Sequence, residues 1–495
     1  MIAKIYNTIL SNSYLKVVLS FTILVFVASL YHRYIQQDEP WFGEQAYWLV
    51  KEGNVKIKSM PGIFNWTSNM IIYHKLVVWL GAAIIFLFGW SVYYFKLLIL
   101  LFFTTTAYFI YRFLKVKMNT GDAVAFLAVT LFFITPELIH RGFIYRPEVM
   151  VMCFGFLSFY FIYDYRSAPR LLLGGLFAGL AFLSHLNGMI FPVAGFIYLL
   201  IQKQWKPLML FAPVAFLVSM IYTIGLWNQE SIETYMFQLK NWPTHQDTFS
   251  SKVDGNILGT IFSHIKRILG EHKRYFWDQD VWGISGLFIV SMLVSFRRNK
   301  KNYPALMTYT LILLISIAVL TSSHSPRYLV ALMPFMVMTV AVTIFSINVM
   351  KKGKSAIAAL FALMVAAQIA FAFMAYSKIF KTNHDHVQKH AQVLSSIEKG
   401  KNILAPWSMI YNQIDEYNFF SFKTYEYIED QNNIKLSQID LLEQAHDKYL
   451  IDYIIVNTIR KHDKEFPWFK NWQLEPNPFY KEIKRNEDFL ILKRI

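Results

Sequence analysis

The stretch Arg33–Val50, RYIQQDEPWFGEQAYWLV, follows directly on Tyr14–His32, YLKVVLSFTILVFVASLYH. The earlier run is apolar and long enough to cross a hydrocarbon layer of about 30 Å. No small-residue cleavage site follows it, so it reads as a retained helix. Two adjacent carboxylates, Asp38 and Glu39, then stand at its mouth, and Pro40 favours the first turn of a new helix. Acids near a helix N-terminus are stabilised by its dipole, which is one sufficient reason for them. The other is chemical: Asp38 as a general base at the membrane surface, with Glu39 beside it shifting its pKa or helping to hold a divalent cation.

Working outward, apolar runs of about 20 residues recur along the 495-residue chain, which is 55% hydrophobic and only 16% charged. Soluble domains carry about a quarter charged residues. The pattern predicts a mainly α, polytopic helical membrane protein with about eleven spans: about 14–33, 91–114, 121–139, 149–165, 171–186, 188–202, 207–226, 280–296, 304–322, 327–349 and 355–376. The segment 71–89 is apolar too. Counting it as a span would reverse every later loop, so it is read as a helix lying in the interface. Residues 34–89 and 227–279 are then extracytoplasmic loops of a transmembrane unit, 1–376. Residues 377–495 turn polar and form a small outside α/β domain, with strands expected at KNILAP, IDYIIVN and DFLILKRI.

The net charge of +16 would suggest nucleic acid in a soluble protein, but here basic residues fill short loops. KVK, YRSAPR, KQWK, RRNKK and KKGK fall on one face if the N-terminus is inside, so no nucleic-acid partner is expected. Membrane lipids are. Cys153 is the one cysteine and lies in an apolar run, which excludes an intramolecular disulfide or a cysteine metal cluster.

Charges that break the positive-inside trend mark the other face. In HRGFIYRPEVM, His140, Arg141, Arg146 and Glu148 sit in one short outside loop, and Pro147 places Glu148 in the first turn of the fourth span. A phosphate site is a good reason for such a cluster. Lys75 lies early in the interfacial helix, within reach of a headgroup phosphate, although an ordinary interfacial lysine is the blander account. His324, Arg327 and Tyr328 open the tenth span from outside, and an Arg beside a Tyr hydroxyl suits a pair of phosphate oxygens. His185 and Asn187 read as a structural turn. Lys266, Arg267, Lys273 and Arg274 read as a solvated amphipathic helix.

In this order the features resemble the GT-C membrane glycosyltransferases, and within them glycosyltransferase family 39, which includes protein O-mannosyltransferases and the aminoarabinose transferases that modify lipid A. The resemblance spans about residues 14–350. DEPWFGEQAYWLV is similar to the family's Asp-Glu motif and following juxtamembrane helix. YHKLVVWLGAAIIFLFG is similar to its second outside helix, YRPEVMVMCFGFLSFYFIY to its Arg-Pro-Asp/Glu span opening, and SPRYLVALMPFM to its Arg-Tyr span. The chain departs from the family at Lys75-Leu76-Val77, where Lys-Pro-Pro is frequent, and at His185, where lysine is common.

The resemblance implies transfer of a sugar from a polyprenyl-phosphate donor to a lipid, glycan or protein acceptor on the extracytoplasmic face, with inversion. Asp38 and Glu39 would be the catalytic acids. Lys75, Arg141, Arg146, Glu148, Arg327 and Tyr328 would meet carrier phosphate or substrate. No cofactor is fixed; a divalent cation, Mg or Mn, would use Asp38 and Glu148. A bacterial inner membrane with the site facing the periplasm is the expected location. A lipid-linked sugar flippase, a GT-C enzyme acting on a cell-wall glycan and a non-enzymatic receptor stay open as rivals.

Overall fold

The computed structural model describes residues 10–164, 167–241, 265–321, 323–348, 355–382, 386–458, 466–469 and 478–495. Among these residues six helices are long and apolar enough to cross a membrane, and six shorter apolar helices accompany them. Eleven of the twelve coincide with the predicted spans. The other is Lys75–Phe88. At 14 residues it measures about 21 Å, too short for the hydrocarbon layer by itself.

Helix α1, Asn12–Leu30, leads into α2, Asp38–Glu52, which stops where Gly53 takes a left-handed conformation. α2 starts two residues earlier than Pro40 suggests, with Gln37 at the cap position and no side-chain cap bond. Helix α3 is Lys75–Phe88 and α4 is Val92–Arg112. The third predicted span is interrupted: α5, Asp122–Phe133, ends, and Pro136 starts the separate six-residue α6, Pro136–Arg141. Proline drives the residue before it out of the helical region, and Thr135 is extended accordingly.

α7, Pro147–Ile162, packs against α8, Ala168–Ser184, and α4. α9, Ile190–Ile201, and α10, Trp205–Met220, follow. α11, Gln229–Lys240, leans on the first outside loop through Gln238, which bonds the Phe64 and Asn69 carbonyls and the Ile71 and Ile72 amides. Then come α12, His272–Phe276, α13, Gln279–Asn302, and α14, Pro304–Leu320. A 3-10 segment, Pro326–Leu332, opens α15, Met333–Asn348, and α16 is Ser355–Phe380. α15 is the helix of the centre: the span window in Pro326–Ile347, which it shares with the 3-10 segment, is 94% buried, against 17% for α16. A helix that is hydrophobic all round belongs inside, surrounded by others that show one face to lipid.

The C-terminal region carries a five-stranded sheet in the order β2-β1-β3-β5-β4. β1 is Asn402–Ala405, β2 Asn418–Ser421, β3 Tyr453–Asn457, β4 Tyr480–Arg485 and β5 Phe489–Arg494. β1 runs parallel to β2 and β3, while β5 is antiparallel to β3 and β4. The sheet is tied down onto α2 and the loop after it. The Tyr411 hydroxyl donates to the Glu39 carbonyl, Tyr47 donates to Asp415, Trp407 donates to Glu44 at 3.4 Å, and the Ser421 amide reaches the Ser59 carbonyl at 2.8 Å. A Cβ at position 43 would stand 2.5 Å from the Tyr411 hydroxyl, so any residue larger than glycine there must displace that side chain.

Candidate active site

Two neighbouring acids at the start of α2 take opposite courses. Glu39 is fully buried. One carboxylate oxygen meets Lys96 Nζ at 2.8 Å and the Gln36 amide at 2.8 Å, and the other accepts the Tyr145 amide at 2.9 Å. Lys96 is equally buried and also donates to the Tyr34 and Phe143 carbonyls. A charge in such surroundings persists only when paired and fully hydrogen-bonded, and this pair is both. Glu39 therefore differs from the catalytic expectation: its oxygens are committed to tying the start of α2 to the loop before α7, and they set the backbone of Tyr145, the residue before Arg146.

Asp38 turns the other way, with 39% of its side chain exposed. Its carboxylate pairs with the Arg146 guanidinium. Arg146 itself is 8% exposed and grips Glu148 in fork fashion, Nε to Oε1 at 3.2 Å and to Oε2 at 3.1 Å, Nη2 to Oε1 at 2.7 Å. The local sequence dictates this. Arg146 precedes a proline and is extended, with φ −146° and ψ 157°, which throws its side chain back over the first turn of α7 where Glu148 sits.

Glu148 lines a small cavity with His185, Asn187, Thr321, Arg327 and Tyr328. The outside residues of the fourth and tenth predicted spans thus meet at one place. Its volume is about 20 Å³, room for about one water. A phosphate group is larger than this space. Arg327 is held at its base by Ser325 Oγ, 3.1 Å from Nε.

A file of rings borders the cavity: Phe42 on His74 at 5.6 Å, His74 stacked on His185 at 4.3 Å, His185 on Tyr328 at 5.6 Å. His185 Nδ1 accepts the Asn187 amide at 2.9 Å, which assigns the proton of a neutral ring to Nε2. His185 was expected to be part of a structural turn only; it caps that turn and also faces the cavity.

Two predicted site residues lie elsewhere. Lys75 is buried under Tyr73, its Nζ 3.8 Å from the ring centroid and 5.8 Å from that of Tyr222, and it bonds the Ile71 carbonyl at 3.4 Å. Its neighbour His74 joins the cavity's ring file instead. Arg141 pairs with Glu137 at 2.9 Å and lines a second cavity. The amphipathic reading of 265–279 also changes. Arg274 is fully buried, pairs with Glu271 at 2.9 Å and bonds Thr321 Oγ1 at 2.7 Å, beside the first cavity. A cation that reads as solvated in a polar loop is here buried behind a residue of the wall, Thr321.

Asp38 and Glu148 were the acids expected to share a cation. The Arg146 guanidinium stands between them and pairs with both. Among the described residues no three His, Cys, Asp or Glu side chains are arranged to hold a metal. The residues present therefore fit a guanidinium bridge rather than a metal centre.

Residues 72–227 match the family model described as dolichyl-phosphate-mannose-protein mannosyltransferase. The structure aligns with ArnT from Cupriavidus metallidurans bound to undecaprenyl phosphate, at 11% identity and a TM-score of 0.59, over 98% of each chain. It also aligns with the oligosaccharyltransferase AglB from Archaeoglobus fulgidus in complex with an inhibitory peptide and a dolichol-phosphate, at 12% identity and a TM-score of 0.54, over 90% of this chain and 70% of that one. No curated protein sequence matches at a significant level. Asp-Glu helix, Arg-Pro-Glu opening, Arg-Tyr span and whole-chain alignment agree: this is an integral multi-pass membrane protein of the GT-C fold, the fold of membrane glycosyltransferases.

Proposed function

We propose that the chain transfers a sugar from a polyprenyl-phosphate carrier to an acceptor oxygen on the extracytoplasmic face of a bacterial inner membrane. The observation that carries this is the chain of ionic contacts from Asp38 through Arg146 to Glu148, ending at a cavity that Arg327 and Tyr328 also line. It sets one partly exposed carboxylate on Arg146, with a second guanidinium, Arg327, across a small cavity from Glu148. The two aligned proteins that hold polyprenyl phosphates support the choice of carrier.

In this reading the acceptor oxygen attacks the anomeric carbon and the bond from that carbon to the carrier phosphate breaks, with inversion. Asp38 takes the acceptor's proton, and the electron pair leaves with the lipid phosphate. Arg146, Arg327 and Tyr328 stabilise the charge that develops there, in a site where few waters compete. The ion pair to Arg146 holds Asp38 in place while the site is closed. An arriving phosphate competes for Arg146 and releases the carboxylate as it opens the cavity. Glu148 keeps Arg146 aimed through the exchange.

The test is sugar transfer from a polyprenyl-phosphate donor by purified protein in nanodiscs, with membrane extract as acceptor, with and without chelator. Transfer by the wild type and none by Asp38→Asn is the expected result. Normal turnover by Asp38→Asn overturns the role of the base. No transfer with any polyprenyl donor, together with movement of lipid-linked sugar across liposomes, would make the protein a flippase.

A further inference from the structure

The sequence places 227–279 outside the membrane as a loop, yet its described ends, 227–241 and 265–278, carry most of their apolar side chains outward. Trp227 is 77% exposed, Leu269 73% and Trp277 68%. Apolar exposure on this scale marks a contact surface rather than a wetted one.

The arrangement of α11 says which contact. Successive helical residues are turned by about 100°. Gln238 is buried against the first outside loop, and Phe237 rests on the Phe64 ring at 6.2 Å. Ile232 and Met236, four residues apart, are exposed side by side on another flank. Glu230, also exposed, lies about 160° round the helix from Ile232. α11 thus turns one flank to the protein, one apolar flank outward and one polar flank to water. A helix lying in a membrane surface has these three sides.

Both ends of the loop continue the outward face of a spanning helix. From α10 onward Leu217, Met220, Ile224 and Trp227 are exposed in succession, three or four residues apart, and Ile232 and Met236 follow. At the other end Ile265, Ile268 and Leu269 are exposed together, then Phe276, Trp277 and Trp282, the last already in α13. α10 and α13 are both long and apolar enough to cross a membrane, so their exposed faces meet lipid. Lys266 is exposed beside the second stripe, and Lys273 Nζ stands 4.4 Å over the Trp277 ring. Tryptophan with lysine is the chemistry of the headgroup level.

We propose that 227–240 and 265–277 lie in the leaflet where α10 ends and α13 begins, with phospholipid covering Ile232, Met236, Ile268 and Leu269. Each piece is also bonded inward. Gln238 holds the loop before His74, while Arg267 donates to the Thr321 carbonyl at 3.0 Å and Arg274 to Thr321 Oγ1 at 2.7 Å. Thr321 lines the cavity in front of Glu148, and His74 borders it through His185. Two lipid-lying pieces therefore grip the site from two sides. The lipid contact itself does not depend on the reaction proposed above.

The experiment uses full-length protein in phosphatidylcholine nanodiscs. Its one cysteine, Cys153, is buried, so a nitroxide can be attached at Met236→Cys, Leu269→Cys or Glu230→Cys in turn. Collision with oxygen, which concentrates in lipid, is compared with collision with a water-soluble nickel chelate. Labels at 236 and 269 should lie about 5–10 Å into the headgroup and acyl boundary, and the label at 230 in water. Nickel access at 236 and 269 equal to that at 230 overturns the proposal. So does poor access to both reagents, which would mean that protein, such as a second copy of the chain, covers the stripe. A second measurement needs no label: the fluorescence that Trp227→Phe removes should be quenched by brominated phosphatidylcholine in wild-type protein, and its persistence would also overturn the placement.

Discussion

The molecule holds two ion-pair clusters on either side of the start of α2. Behind it, Glu39 and Lys96 form a dry pair whose hydrogen-bonding atoms are used by the protein itself. In front, Asp38 and Arg146 form a wetter one that opens toward a cavity. Adjacent acids of similar chemistry thus serve different ends, and the difference lies in what encloses them. A carboxylate whose every oxygen is bonded to backbone and lysine can only hold structure. One that is partly exposed and held by a single guanidinium can be released to react.

That contrast can be broken from either side. Asp38→Asn should reduce sugar transfer about 10²- to 10⁴-fold, the range for a lost general base, with the melting temperature unchanged. Glu39→Gln should do the reverse. It leaves Lys96 charged and buried, costing about 3–5 kcal/mol of stability, and activity should fall only as folded protein is lost. Calorimetry and transfer assays on the two variants separate the clusters. Adding Lys96→Met to Glu39→Gln should recover much of that stability, because an apolar group of similar volume removes the stranded charge. If the double variant is no better than the single, the pair is not the isolated unit described here.

Smaller effects test the roof over α2. Tyr411→Phe removes the hydroxyl donated to the Glu39 carbonyl and should cost about 1 kcal/mol. A change in the KM for acceptor in the same variant would show that the C-terminal sheet also steers Asp38. Asp415→Asn weakens a contact to Lys51 whose side chains are 50% and 57% exposed, and should cost at most about 0.5 kcal/mol. A larger loss would mean that Tyr47, which also donates to Asp415, anchors the sheet more firmly than its surroundings suggest.

The apolar runs and the turn chemistry around Pro40 and Pro147 were legible because they depend on neighbours in sequence. Arg146 and Glu148, two residues apart across a proline, could be read as partners for that reason. Lys96 and Arg33 could not. Each is a lone cation at the edge of an apolar run, a pattern equally suited to a side chain reaching the interface. Their partners lie far along the chain: Glu39 is 57 residues from Lys96, and the Ile139 carbonyl is 106 from Arg33. The aim of Lys75 was missed because nothing in YHKLVV says whether the histidine or the lysine faces inward. Strand β4, YKEIKR, is an edge strand with mostly exposed side chains, so it lacks the apolar alternation that marked β3 and β5.

The Lys96–Glu39 pair also constrains how the chain is made. A lysine five residues into an apolar helix resists transfer into lipid until its charge is met. Its counter-charge is synthesised 57 residues earlier, so it can already be waiting beyond the membrane when α4 enters. The acid that secures the active-site helix in the finished protein would then also serve as the receiving partner for the second span during insertion, and Glu39→Gln should leave a larger share of newly made chains with α4 uninserted.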